Sequence, residues 1–280
     1  QFYPIDIDYV ISGEKTIVRL FWRTTNRERI CVFDESFKPY FWIIPRENID
    51  VDDFIRKIKD IRLKEKDRTI TILDAKLENK KYLEQDIKAI KVILNHPSDV
   101  PIVKDRIKLM HETLAKKEID IPFYKRYLID KNITPLVLCE AEGEEIETNL
   151  EVDLVIKADY VKQIGEEVIK DPRILAFDIE VYNVRRTPIE DKDAILMISF
   201  AGSDGLRKII TWKEFPNENK NIEFVEDEGN LILRFKDFIK EYKPDYLVSY
   251  FGDGFDFPYI RARASVYNIK LDLGLDKSIV

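Results

Sequence analysis

Two acids, Asp178 and Glu180, stand two positions apart in the run RILAFDIEVYN. In a β-strand such positions leave the same face, so both carboxylates point to one side of a segment whose other residues are apolar. Holding two like charges there is costly unless a cation sits between them. A hard divalent ion such as Mg²⁺ or Mn²⁺ takes oxygen ligands, so the pair suits half of a metal site, although a lone D-x-E is also the ordinary solvent edge of a strand. A third acid strengthens the metal reading. Asp256, in SYFGDGFDFPYI, follows a later apolar run, and ligand sites collect where the strands of an open sheet end. Two metal ions held by three or four carboxylates are a recurrent device for phosphodiester hydrolysis, one generating hydroxide and the other steadying the leaving oxygen. Tyr250, Phe251, Phe255 and Phe257 around this acid are candidates to stack on the unpaired end of a nucleic-acid strand.

The elements that must position these acids follow from patterning. Residues 174–181, 195–201 and 208–212 read as three strands separated by turns rich in Asp, Gly and Pro. Over residues 227–242, Leu231, Phe235, Phe238, Ile239 and Tyr242 fall on one helical face, and Pro244 stops the helix. Residues 246–250 read as a fourth strand and 255–267 include a further helix, giving the order β-β-β-α-β-α. The front half has a different grammar. Short runs at 3–11, 16–22, 30–33 and 40–44 predict a meander of strands, and 51–61 a helix. A basic segment, 62–68, leads into the apolar run 70–73, and a helix follows Pro101 with Ser98 or Asp99 as its cap. Residues 140–151, EAEGEEIETNLE, are acidic and mark a hairpin tip or linker. No internal repeat or low-complexity tract interrupts the chain.

With 280 residues the chain exceeds the usual ~100–200 of one domain, and 45% apolar content fills a sizeable core, which excludes intrinsic disorder. A charged fraction of 35%, with no apolar run near the ~18 residues that span a bilayer, excludes a transmembrane segment and a membrane partner. Cys31 and Cys139 cannot staple a chain this long and have no zinc-site spacing, so they read as buried small hydrophobes in a reducing compartment. The start, QFYPIDIDYV, lacks signal-peptide features, which predicts a cytoplasmic home, and opening on Gln1 predicts a trimmed start. The net charge of −7 alone argues against a basic nucleic-acid sleeve. Its distribution argues otherwise: residues 1–140 carry about +3 and the remainder about −10, and bound metal would invert the acidic field locally.

At this point the residues resemble a known family. FDIE, then a helix, a strand and YFGDGFDFPY, is similar to the first two exonuclease motifs of family B DNA polymerases, most closely the archaeal ones. The resemblance extends backwards through DIDYV, FKPYFW, NHPSDVP and IPFYKRYLIDK, so it covers nearly the whole chain. It implies an α+β / α/β protein. An N-terminal α+β domain of short strands and helices (residues 1–138) would precede an RNase H-like, mixed-sheet 3′→5′ exonuclease domain (139–280). In that domain Asp178, Glu180 and Asp256 would hold two Mg²⁺ or Mn²⁺ ions, and Glu180 would help orient the attacking water. Phe251 stands where the family usually has Asn. The family's third motif would lie past Val280, so the exonuclease domain is expected to be incomplete and the isolated chain inactive or very weak.

The same resemblance implies a second site. In archaeal family B polymerases an N-terminal pocket captures uracil in the template strand ahead of synthesis, and the matching positions are Tyr9, Pro39, Tyr40, Pro97, Val100, Ile121, Phe123 and Arg126. Their chemistry suits a flipped base, which needs flat apolar walls and backbone groups at its pairing edge. Arg126 with Lys125 could hold phosphates; Tyr9, Tyr40 and Phe123 could equally be ordinary core aromatics.

The implied function is the N-terminal part of a replicative DNA polymerase, as a truncated chain or a subunit of a split enzyme, bound to single-stranded template and the primer 3′ end. The remaining palm, fingers and thumb would lie in the parent chain or a second subunit, on the nucleoid, with a sliding clamp as a candidate partner. Two rivals stay open, a non-catalytic DNA-binding or assembly subunit with drifted motifs and a stand-alone nuclease. His96 and His111 read as structural or solvated. Arg62, Lys64, Lys66 and Arg68, interleaved with Glu65 and Asp67, read as a solvated surface, and Trp22, Trp42 and Trp212 as core.

Overall fold

The computed structural model describes residues 1–66, 68–183 and 187–279; Asp67 and Val280 lie outside them. The chain divides into two units, Gln1–Glu147 with Asp153–Val168, and Thr148–Val152 with Ile169–Val280.

The first unit opens with β1 (Phe2–Ser12), β2 (Lys15–Thr24) and β3 (Arg29–Asp34), the expected antiparallel meander. Next come β4 (Tyr40–Pro45), α1 (Val51–Lys59), β5 (Arg62–Glu65), β6 (Arg68–Tyr82), β7 (Gln85–Leu94), α2 (Asp99–Lys108), β8 (Thr113–Lys117), α3 (Phe123–Lys131), β9 (Val137–Glu145) and β10 (Leu154–Val168). Strands β1-β2-β3-β10-β9 close into a barrel, with β10 parallel to β3 and antiparallel to β9. Closure explains where the division falls. Residues 139–147 and 153–168 belong to the first unit rather than the second, because without β9 and β10 the edges of β1 and β3 would be unpaired. The acidic segment 140–151 spans the end of β9 and the link to β10, and its last residues, 148–151, belong to the second unit. Phe2, Val18, Leu20, Ile30 and Val32 share a core with Phe123 and Tyr127 from α3.

Strands β5-β6-β7-β4-β8 form a second sheet. Phe41, Ile43, Ile90 and Val92 face Phe54 and Ile58 of α1 and Val103 and Ile107 of α2. Asp50 caps α1 by accepting from the Asp53 amide at 3.0 Å. Ser98 occupies the N-cap position of α2 without a side-chain capping bond. The basic segment from Arg62 is itself a strand, paired with the start of β6.

The second unit contains β11 (Ile174–Val181), β12 (Ile195–Gly202), β13 (Arg207–Thr211), β14 (Ile222–Phe224), α4 (Glu228–Tyr242), β15 (Tyr246–Val248), a π-helical turn (Gly252–Asp256) and α5 (Phe257–Val266). The sheet order is β14-β13-β12-β11-β15. Strands β11 to β13 are antiparallel neighbours and β15 is parallel to β11, the mixed sheet that the family resemblance implies. Leu175, Phe177 and Ile179 pack under Leu231, Phe235, Phe238 and Ile239 of α4. Asp227 caps α4, accepting from the Asn230 amide at 2.8 Å, and Lys243 ends it in the left-handed region just before Pro244.

Candidate functional site

In the second unit the acids are placed by strand alternation. Because Leu175, Phe177 and Ile179 enter the core, Ala176, Asp178 and Glu180 leave the opposite face, and both carboxylates are exposed. Strand β15 pairs with β11 up to Ala176↔Val248, so Asp178 comes level with Tyr250 just beyond the last pair. A cleft of about 920 Å³ opens here, walled by Asp178, Ser199, Arg207, Asn219, Ser249 and Tyr250 among others. The pair offers only oxygen donors on an accessible face. That fits a hard divalent cation such as Mg²⁺, which takes one or two carboxylates and fills its shell with water and phosphate oxygens.

Asp256 is placed differently. It closes the π-helical turn, is 3% exposed, and accepts a hydrogen bond from the Ser249 hydroxyl. Among the described residues no three His, Cys, Asp or Glu side chains gather as metal ligands. The structure thus brings Asp178 and Glu180 onto one face and leaves Asp256 tied inward, because a buried carboxylate needs a partner and Ser249 supplies it. The aromatic candidates also separate. Tyr250 and Phe251 are exposed. Phe257 packs against Phe177 with centroids 5.1 Å apart and Phe255 against Tyr259 at 5.2 Å, so those two rings serve the core rather than an open platform. Phe251 lies over Gly254, where an added Cβ would come 2.2 Å from its ring, which is why that position needs glycine.

In the first unit, all eight expected residues from Tyr9 to Arg126 line one cavity of about 400 Å³. They come from β1, the start of β4, the approach to α2 and the start of α3. Tyr9 and Phe123 meet edge to face at 5.2 Å. Tyr40 donates its hydroxyl to Asp130 at 2.6 Å and accepts from Arg126 at 3.0 Å. Burial, then the Asp130 hydrogen bond, push the Tyr40 phenol up to about 12. Arg126 also donates to the Glu118 carboxylate at 2.6 Å and to its carbonyl at 2.9 Å. Burial works against the Arg126 charge, but Glu118 and Tyr40 outweigh it and raise its pKa. With its side chain 5% exposed and its donors engaged, Arg126 braces the wall and is not a free phosphate arm; Lys125 beside it is exposed.

Glu118, Asp130 and Ser249 were not legible as functional. Asp130 stands four residues after Arg126 on α3, and the two meet at the Tyr40 hydroxyl rather than each other, a link that helical spacing alone does not reveal. Glu118 and Ser249 carry no local pattern. His96 is buried beside the Thr16 hydroxyl and His111 is exposed, in keeping with structural and solvated roles.

Comparison with known proteins agrees with the motifs. The family model for the DNA polymerase family B exonuclease domain matches residues 115–277. The chain is 34% identical over 274 residues to a DNA polymerase of Pyrococcus horikoshii, covering 98% of this chain and 19% of that protein. It is 35% identical over 276 residues to a DNA polymerase of Methanocaldococcus jannaschii, covering 97% of this chain and 15% of that one. Among solved structures it resembles the family B DNA polymerase from the hyperthermophilic archaeon Pyrobaculum calidifontis, with a TM-score of 0.80 and 26% identity over 99% of this chain and 34% of the other. The chain therefore spans less than a third of the length of these curated relatives, and on the family match over more than half of its residues it belongs to DNA polymerase family B, with the exonuclease domain of that family in its second part.

Proposed function

We propose that this chain reads the template strand of a replicative DNA polymerase through the cavity of its first unit and contributes to a 3′→5′ proofreading exonuclease through the acidic face of its second. The observation that carries the reading is the convergence of Tyr9, Tyr40, Val100 and Phe123, distant in sequence, on one cavity of about 400 Å³. That lies within the ~300–1,000 Å³ of small-ligand pockets, and its flat apolar walls suit an extruded pyrimidine. Tyr40, fixed by Arg126 and Asp130, holds one wall rigid. A tight wall at Val100 would exclude the extra methyl of thymine, a distinction worth about 1–3 kcal/mol.

At the acidic face, Asp178 and Glu180 would hold Mg²⁺ or Mn²⁺, and Asp256 would support the adjoining strand end through Ser249. Such an ion, when bound, polarises a phosphoryl oxygen and makes bound water a stronger nucleophile near neutral pH. Tyr250, fully exposed beside Asp178, would stack on the unpaired 3′-terminal base. In this reading the chain works with the palm, fingers and thumb of its polymerase, on nucleoid DNA, and any sliding clamp is contacted elsewhere in that enzyme. Among the described residues no helix is long and apolar enough to cross a membrane.

The test is binding of single-stranded oligonucleotides that differ in one uracil or thymine. The whole chain should bind the uracil strand about ten-fold more tightly, the lower part of a one-methyl preference. Val100→Gln, which fills the cavity, should abolish the difference. Equal affinities for the two strands in the unmodified protein would overturn the template-reading role.

A further inference from the structure

The second sheet of the first unit is covered by α1 and α2 on one face, and the other face interleaves aromatic rings with cations. Trp42 of β4 is paired in register with Lys91 of β7 and with Lys117 of β8, so a lysine flanks the indole on each side. Lys80 Nζ lies 4.3 Å from the Trp42 ring centroid, and Lys91 Nζ lies 3.9 Å from that of Tyr40. Lys117 Nζ lies 4.1 Å from the Tyr82 centroid and donates to its hydroxyl at 2.7 Å. Neither Lys91 nor Lys117 is ion-paired among the described residues.

Tyr82 ends β6, which the order β6-β7-β4-β8 separates from β8 by two strands. Its contact with Lys117 therefore requires the β6–β7 hairpin to curl across the sheet face. The hairpin tip, residues 80–86, is exposed, and its two turn residues, Leu83 and Glu84, both take positive φ (48° and 65°), a conformation that side chains disfavour. The arm is thus latched over Tyr40 and Trp42 by Lys91 and Lys117, which rest against aromatic rings, and by Lys80, which rests on the Trp42 ring and pairs with Glu78 at 3.7 Å. Phosphate is a stronger partner for an ammonium than a ring, so a nucleic-acid strand can draw the lysines off and free the rings for bases. Rings for stacking beside cations for backbone are the parts of a sequence-independent single-strand platform.

Tyr40 joins this face to the cavity: Lys91 lies on its ring, Arg126 lies 4.5 Å from its centroid, and Tyr40 itself lines the cavity. We propose that the hairpin arm and the Tyr40–Trp42 face beneath it bind single-stranded DNA irrespective of its bases, as a track that continues from the cavity mouth. DNA rather than RNA is the occupant because the chain belongs to a DNA-polymerase family. The track goes beyond uracil capture and does not depend on it.

The test uses the whole chain and fluorescein-labelled oligothymidylate, a probe without uracil, so failure of base capture leaves the result untouched. Anisotropy titrations across a salt series give affinity and salt slope. Replacing Lys80, Lys91 and Lys117 together by Gln should weaken binding at least about ten-fold and reduce the log–log salt slope by about 2, three phosphate contacts at ~0.7 each. Strand binding should also quench tryptophan fluorescence, and Trp42→Phe should remove that quench while Trp22 and Trp212 still emit. Tyr82→Ser, at the exposed tip, unlatches the arm without touching the core and should alter the quench amplitude. Unchanged affinity and slope in the triple variant would overturn the track, as would a quench that survives Trp42→Phe. Oligoriboadenylate bound about ten-fold more tightly than oligodeoxyadenylate, a pair without uracil that differs only in the 2′-hydroxyl, would overturn the assignment to DNA.

Discussion

Ser249 donates its hydroxyl to the buried carboxylate of Asp256, seven residues further along the chain, across the turn between β15 and α5. The bond gives an acid inside the second unit its partner and fixes the segment that carries Tyr250 and Phe251. Ser249→Ala leaves the carboxylate buried and unpaired, which costs about 1–3 kcal/mol. Chemical denaturation should record that loss, and adding Asp256→Asn should restore part of it by removing the charge. A loss below about 0.5 kcal/mol, the level of an ordinary surface substitution, would mean that Asp256 has another partner.

Asp178 and Glu180 are exposed, so substituting them tests the metal role without disturbing the fold. Asp178→Asn and Glu180→Gln should each leave stability within about ±0.5 kcal/mol. Each should weaken Mn²⁺ binding, read as free Mn²⁺ by electron paramagnetic resonance, and the double variant should abolish it. Binding that persists in the double variant would place the ion elsewhere.

The Tyr40 phenol, raised to about 12 first by burial and then by the Asp130 hydrogen bond, reports on the wall of the cavity. Removing the negative charge in Asp130→Asn should lower its titration part of the way toward the ordinary ~10, with burial holding the remainder. The readout is the phenolate absorbance change between each protein and its Tyr40→Phe counterpart. The deprotonated form is the charged one, so the variant should ionise at lower pH; an unchanged midpoint would show that Asp130 contributes nothing to the wall.

How much was legible depended on whether a signal was local. Alternation around Asp178 and Glu180 fixed their common face, since a strand of period 2 that buries Phe177 and Ile179 must expose its acids. The α4 face and its Pro244 stop were equally readable. The barrel was not, because Val137–Glu145 and Leu154–Val168 join strands more than a hundred residues earlier, and their acidic, Gly-bearing connection reads as a linker. The long β6–β7 hairpin escaped for a related reason. It turns on Leu83-Glu84, without the Asn-Gly or Asp-Gly pair that announces such turns. The inward turn of Asp256 depends on one hydroxyl, and no pattern of residue types encodes that.

Glu228 and Arg263 form a buried ion pair in the second unit, 2% and 5% exposed, that ties the first turn of α4 to α5 and to the start of β12. The Glu228 carboxylate accepts from Arg263 Nε, from the Ile195 amide and from the Tyr267 hydroxyl, each at 2.8 Å. Burial alone would raise the Glu228 pKa, but these donors, with Arg263 foremost, outweigh it and hold the carboxyl below its ordinary value. A group whose folded pKa is depressed contributes stability that is present above its unfolded pKa, about 4.3 for Glu, and lost as pH falls through the lower folded value. The second unit should therefore weaken on acidification in that window. Glu228→Gln leaves Arg263 buried without a counter-charge, so it should cost about 3–5 kcal/mol at neutral pH and flatten the acid limb of stability against pH. Denaturant titrations at a series of pH values measure both effects, and an unchanged acid limb in Glu228→Gln would assign the acid sensitivity to other carboxylates.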